Sequence, residues 1–147
     1  MAKKKSTTYT RKYKSINRVM KQERFPIPDV EGHLVGVQVR EGVIVYEDGE
    51  LAWQKVIGIH DLVNGLGSAL RYVTTTFQDG STITTYYKNN ISSGSYPIPG
   101  EIIHGTGRFK GIKGTATGTA KILTPEPGET SGKAVSEGTT TYTLPSK

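Results

Sequence analysis

Short turn signals that separate strand-like runs are the feature of this sequence that most restricts its fold. Asp48-Gly49, NGLG (64–67) and Asp79-Gly80 each stand between runs rich in Val, Ile, Thr and aromatic residues. Asp-Gly pairs adopt the positive φ angles that tight β-hairpin turns require. Residues 68–90, with Asp79-Gly80 at their centre, form the clearest hairpin of the chain. The sequence therefore predicts antiparallel strands joined by short turns.

The runs between these turns alternate in side-chain character with the period of a β-strand. Val35, Val37 and Val39 share one face, and Gly42 is expected to mark a bulge or bend before the strand continues at residues 43–46. Seven or eight strands can be counted, and no convincing amphipathic helix accompanies them. A sandwich and a barrel both fit this spacing, but a closed barrel leaves no exposed strand edge. We therefore predict an all-β fold, a single antiparallel eight-stranded β-barrel.

The glycines of HGTGRFKGIKGTATG (104–118) could in principle form a phosphate-binding loop, but their spacing argues against it. A dinucleotide fingerprint needs G-x-G-x-x-G and then a helix, and a P-loop needs G-x-x-x-x-G-K-[ST]. Neither pattern is present, and the following residues alternate small and threonine side chains, which favours a strand. The segment is interpreted as a tight corner. The strand that follows has a nearly bare face, from Gly114 to Ala120, which either approaches its neighbours closely or leaves room for a cavity.

The same segment resembles the G-G-T-G-[KR]-[FY]-x-G-x-x-G motif of the dirigent and allene oxide cyclase barrel superfamily. His104 occupies the position of the first glycine of that motif. GVQVREGVIVYEDGELA (36–52) is also similar to the early hairpin of bacterial members. The resemblance implies a calycin-like barrel of eight antiparallel strands with a largely apolar cavity, often assembled as a homo-oligomer. It also implies binding or steering of hydrophobic small molecules, but it carries no catalytic residue to a numbered position here.

Charge divides the 147 residues into two parts, although the length fits a single domain. Residues 1–24 hold nine Lys and Arg against one acidic residue, whereas the remainder is close to neutral. Two prolines in FPIPDVEGH (25–33) favour an extended domain start. We therefore predict a basic, flexible arm over residues 1–24 and a barrel over residues 25–147.

The sequence also excludes some chemistry and leaves localisation open. The absence of cysteine excludes disulfides, Cys-zinc sites and thiol nucleophiles. No stretch is apolar enough to span a membrane. The basic N-terminus lacks the apolar run of a secretory signal, so the protein either stays where it is made or has lost a leader.

Six residues are candidates for ligand binding, and no metal, cofactor or catalytic residue is assigned. Alternation places Arg71 on a face with Ala69, Val73, Thr75 and Phe77, where an arginine is expected to pair with an acidic residue or meet a ligand anion. Glu101 and His104 flank one loop and could form an acid–base pair. The histidines lack the close spacing of metal ligands. The candidate set is Tyr46, Trp53, Arg71, Tyr87, Glu101 and His104, of which Tyr46 and Trp53 are expected in the core or cavity wall.

Three functional hypotheses follow. The first is a barrel that binds an apolar small molecule in its interior. The second is a cofactor-free cyclase or isomerase, which would act mainly by holding a flexible substrate in one conformation. The third is a non-catalytic interaction module whose basic arm contacts nucleic acid or an anionic surface. The barrel sequence lacks a basic stripe with interleaved aromatic residues, so nucleic acid is expected only at the arm.

Overall fold

Eight antiparallel strands close into a barrel in the computed structural model, which describes residues 7–91, 98–128 and 132–146. Each strand pairs with its neighbours in sequence, and the last strand pairs with the first. The predicted eight-stranded antiparallel barrel is therefore confirmed. Within the described ranges, no helix is long and apolar enough to cross a membrane. The strands are β1 Thr8–Pro26, β2 His33–Tyr46, β3 Leu51–Val63, β4 Leu66–Phe77, β5 Thr82–Ile91, β6 Ile98–Gly105, β7 Lys113–Ile122 and β8 Lys133–Thr143.

β1 corrects the predicted domain boundary. Tyr13 lies opposite Tyr46 of β2 at one edge of β1 and opposite Gly138 of β8 at the other edge. The prediction of a flexible arm is thus wrong for residues 8–24, because their backbone groups complete the barrel. Residues 1–6 of that predicted arm lie outside the described residues.

β2 is continuous through Gly42, where a bulge or bend is predicted from the sequence. A Cβ atom at Gly42 would lie 1.9 Å from the backbone oxygen of Ile16 and 2.5 Å from the Cα of Asn17. The missing side chain therefore allows β1 to approach β2 closely. The two strand segments predicted on either side of Gly42 are one strand, and β1 supplies the eighth.

The glycine-rich segment forms a corner at one end of the barrel, as predicted. A single 3-10 turn, Gly107–Phe109, follows β6 and buries Phe109 to 2% exposure. The Phe109 ring packs against the rings of Phe77 and Tyr142, with centroids 4.7 and 6.1 Å away. These rings belong to an apolar cluster that fills this end of the barrel, here called the apolar floor. Its buried members are Ile44, Tyr46, Ala52, Phe77, Ile83, Ile102, Phe109, Ile112 and Tyr142.

The bare face of β7 points into the barrel and makes room for large rings. A Cβ atom at Gly118 would lie 2.9 Å from the Tyr13 hydroxyl oxygen, and one at Gly114 would lie 2.7 Å from the Cβ of Tyr142. Ala116 between them is 3% exposed. Small residues on β7 therefore let side chains of other strands occupy the interior.

Candidate ligand-binding cavity

A cavity of about 60 Å³ lies inside the barrel, next to the apolar floor. Polar residues hold nine of the fourteen lining positions, whereas nonpolar atoms form most of the surface of the cavity. The volume suits a few water molecules or the polar head of a ligand, since whole drug-sized ligands occupy roughly 300–1,000 Å³. The lining residues are Tyr13, Ser15, Asn17, Arg40, Gln54, Val56, Arg71, Val73, Tyr87, Ile98, Gly118, Thr119, Ala120 and Ser136.

Arg40 and Arg71 are the two cationic residues of this wall. Arg40 lies opposite Val56 of β3, and Arg71 of β4 lies opposite Gly58, which is the next inward position along β3. Arg40 is only 9% exposed. Burial, with a smaller contribution from the charge of Arg71, lowers the pKa of Arg40 to about 10. Burial also lowers the pKa of Arg71. Both groups remain cationic at neutral pH, in surroundings that disfavour their charge.

No carboxylate among the described residues neutralises this pair. Arg71 donates a hydrogen bond from Nη1 to Oδ1 of Asn89 at 3.2 Å, and Asn89 is uncharged. The carboxylates carried by the described strands all occupy exposed positions on the outer surface. They are Glu23, Glu41, Asp61, Glu101 and Glu137. The interior of the described barrel is therefore cationic at this level.

The cavity wall also holds hydroxyl and amide groups. The hydroxyls of Tyr13 and Tyr87 form a hydrogen bond with each other, and burial raises the pKa of both. Both phenols therefore stay protonated at neutral pH. The Oδ1 atom of Asn17 is buried and has no hydrogen-bond partner among the residues that the structure describes. A ligand in this cavity would meet the two guanidinium groups and the two phenols.

The six sequence-predicted candidates separate into three places. Arg71 and Tyr87 line the same cavity, whereas Tyr46 lies in the apolar floor. Trp53 is 63% exposed on the outer surface, so its expected place in the core or cavity wall is wrong. Its neighbours Ala52 and Gln54 take the inward positions of β3, and alternation forces Trp53 outward.

Glu101 and His104 both lie on β6 and are both exposed. In the described part of the chain, no hydrogen bond or ion pair joins them. The two residues therefore lie apart from the cavity that contains Arg71, and the structure does not bring them together as an acid–base pair.

Arg40 and Asn17 line the cavity although sequence reasoning assigned them no role. Arg40 shares its face of β2 with Ile44 and Tyr46, and both of those side chains are buried. That shared face is the signal that could have identified Arg40. Asn17 belongs to β1. Because residues 1–24 were predicted to form an arm outside the barrel, no residue of this segment was considered as part of its interior.

Comparison with known proteins identifies a fold relationship. No protein-family model matches the chain, and no curated protein matches it. The solved structure of the pterocarpan synthase dirigent protein GePTS1 matches with a TM-score of 0.58 and 20% identity, over 96% of this chain and 90% of that one. The pterocarpan synthase dirigent protein PsPTS1 matches with a TM-score of 0.56 and 19% identity, over the full length of both chains. The fold is a dirigent-like barrel.

Proposed function

We propose that this protein binds a small organic molecule in the cavity inside its barrel. The observation that supports the proposal is the pair of guanidinium groups in the wall, at Arg40 and Arg71, which no carboxylate of the described residues neutralises. Buried polar groups of folded proteins nearly always have partners, so such groups facing a cavity favour a ligand that supplies them. Val56, Val73 and Ile98 line the same space and would contact its nonpolar part. The apolar ligand expected from sequence is therefore revised to an amphipathic one.

A second candidate function is steering of a cyclisation or isomerisation without a cofactor. The hydrogen-bonded hydroxyls of Tyr13 and Tyr87 support it, because protonated phenols could donate to a substrate oxygen while the walls hold one conformation. Dirigent proteins named as pterocarpan synthases share the fold, which gives a precedent for small-molecule chemistry. The third hypothesis, an interaction module, would have to use basic residues on a barrel strand in place of a flexible arm, because residues 8–24 lie in β1.

Homo-oligomer assembly remains part of the proposal. The outer surface of β2, β3 and β4 carries an unusual number of exposed large apolar side chains, here called the outer apolar face. Contiguous exposed apolar surface of this kind typically marks an interaction site. We propose that a second copy of the chain covers it. The members of the face are Val37, Trp53, Ile57, Ile59 and Tyr72.

Methyl NMR with a panel of small organic fragments tests interior binding. Fragments that enter the cavity are expected to shift the methyl signals of Val56, Val73 and Ile98. Val73→Phe should abolish these shifts by filling the cavity, whereas Val45→Phe, on the exposed outer surface of β2, should leave them intact. If the fragments perturb only signals of outward-facing residues, or if the Val73→Phe protein binds as well as the wild type, interior binding is wrong.

Chiral chromatography tests the second candidate function on a reactive ligand. Native mass spectrometry of the purified protein would identify such a molecule if one remains bound. Tyr87→Phe is expected to bind it with little change and to lose control over the product distribution. An unchanged distribution would argue against steering by this phenol.

A further inference from the structure

We propose that the ligand of this cavity is a small organic acid whose carboxylate group lies between Arg40 and Arg71. This inference rests on the interior binding proposed above and specifies the chemical class of the ligand.

Two guanidinium groups in a closed barrel wall need a negative charge nearby. A buried charge is normally paired, since the cost of removing it from water is large. Among the described residues, Arg71 donates a hydrogen bond only to the neutral amide of Asn89, and the charge of Arg71 acts on Arg40. A carboxylate accepts two parallel hydrogen bonds from a guanidinium group and neutralises its charge. A bound carboxylate would therefore relieve the repulsion within the pair.

Arginines at the opposite end of the barrel show how this chain neutralises a cation with its own residues. Arg11 Nη2 lies 2.7 Å from Oδ2 of Asp48 and 2.9 Å from Oε1 of Glu50. Arg108 forms ion pairs with Glu50, at 2.5 Å, and with Asp79, at 3.2 Å. Both arginines also lie over aromatic rings. By contrast, the described strands turn every carboxylate away from Arg40 and Arg71.

The wall around the arginines combines room for a carboxylate head group with nonpolar side chains that the start of a ligand body would contact. Gly58, opposite Arg71 on β3, has no side chain, and a Cβ atom there would be 3.7 Å from Cγ of Arg71. The cavity of about 60 Å³ is large enough for a carboxylate. Val56 and Val73 lie on the same wall and would be in contact with an aliphatic or aromatic body. An inorganic anion would leave that nonpolar surface uncovered, which is why an organic acid is favoured.

Paired ligands that differ only in charge provide the test. Hexanoate with hexanamide, and benzoate with benzamide, are titrated into the full-length wild-type protein by calorimetry, with chloride and phosphate as inorganic anions. We expect each carboxylate to bind about 10- to 100-fold more tightly than its amide, the effect of charged hydrogen bonds in a desolvated site. Binding should shift the side-chain Nε–H signals of Arg40 and Arg71 in ¹⁵N NMR spectra.

Three variants assign the effect to the two arginines. Arg40→Gln and Arg71→Gln should each reduce carboxylate affinity about 10-fold or more while affecting amide affinity little. Arg18→Gln, on the exposed outer side of β1, is the matched control and should bind like the wild type. Because unpaired buried charges destabilise a fold, each interior variant should unfold at the same temperature as the ligand-free wild type or above it.

The outcomes separate this inference from the one on which it rests. Equal affinity for each acid and its amide, with shifted methyl signals inside the barrel, would overturn the carboxylate assignment and leave interior binding standing. Phosphate or chloride binding more tightly than either organic acid would overturn it as well. If neither acid nor amide shifts an interior signal, both proposals fail. If the variants unfold, the comparison of acid with amide on the wild type still decides the matter.

Discussion

His33 links the turn after β1 to β3 through two carboxylates. Its Nδ1 lies 2.6 Å from Oδ1 of Asp29, and its Nε2 lies 2.6 Å from Oδ1 of Asp61. These hydrogen bonds, that to Asp29 first, raise the pKa of His33 against the opposing effect of desolvation. The hydrogen bond to His33 is also the main cause that lowers the pKa of Asp29. Since both ring nitrogens face acceptors, the protonated imidazole fits this position better than the neutral one.

Stability that depends on His33 should be lost as the pH rises. A histidine whose folded pKa is raised contributes fully below its unfolded pKa of about 6.5 and loses that contribution as the pH passes the folded pKa. The pKa of Asp29 is lowered, so the stability that Asp29 contributes is lost only in acid, as the pH falls through its folded pKa. The difference in melting temperature between wild type and His33→Gln should therefore be largest near pH 5–6.5 and shrink by pH 9.

Thermal unfolding between pH 5 and pH 9 measures this difference. His104→Gln is the control, because His104 is exposed on β6 and far in sequence from both partners of His33. A difference between wild type and His33→Gln that does not change with pH would show that the two carboxylates contribute nothing through protonation.

Some strands of the barrel are predictable from the sequence and others are not. β1 is the strand that was not predicted. Its inward residues Tyr13, Ser15 and Asn17 face a polar cavity, so the strand lacks the apolar alternation that marks a half-buried strand. Its outward residues include Lys12 and Lys14, and this dense positive charge favoured the interpretation as a solvated arm. A strand that borders a polar interior is recognisable only from the partners on either side of it.

β7 was predicted correctly, because small residues alternate with threonines along it. This pattern indicates a strand from the local sequence alone, without knowledge of the neighbouring strands. The hairpins at Asp48-Gly49 and Asp79-Gly80 were predicted for a similar local reason, the positive φ of Gly49 and Gly80. The candidate site was predicted only in part. Arg71 was identified by its apolar face, whereas Arg40 was missed because the prediction of β2 rested on Val35, Val37 and Val39, which lie on the opposite face.

Removing β1 should destroy the barrel. β1 is paired along both edges, so deletion of residues 1–24 leaves β2 and β8 without their common neighbour and opens the apolar floor. We expect loss of cooperative unfolding in circular dichroism and calorimetry. The matched control neutralises exposed charges in place, as Lys12→Gln, Lys14→Gln and Arg18→Gln together, and should remain folded. A truncated protein that melts cooperatively near the wild-type temperature would contradict the role of β1 as a barrel strand.

Across the whole molecule, the barrel sorts its side chains into three places, namely the apolar floor, the cavity wall and the outer surface. Residues that belong to different places alternate along each strand. Aromatic and aliphatic side chains fill the floor, and cationic and polar side chains surround the cavity. Apolar side chains also cover part of the outside. This last feature includes Trp53, whose predicted place in the core is wrong because Ala52 and Gln54 take the inward positions of β3 and Trp53 between them faces outward. The largest apolar residue of the chain is therefore left on the outer surface.

The outer apolar face predicts that the protein self-associates through β2, β3 and β4. Trp53, 63% exposed, should become buried in the assembly, and Trp53→Glu should place a charge in the interface and shift the protein to monomer. Light scattering coupled to size-exclusion chromatography measures the mass of both proteins at several concentrations. Ile103→Glu, an equally drastic change at an exposed position on β6, is the matched control and should retain the wild-type mass. A wild-type protein that stays monomeric at high concentration, or a Trp53→Glu protein that assembles normally, would contradict self-association through this face.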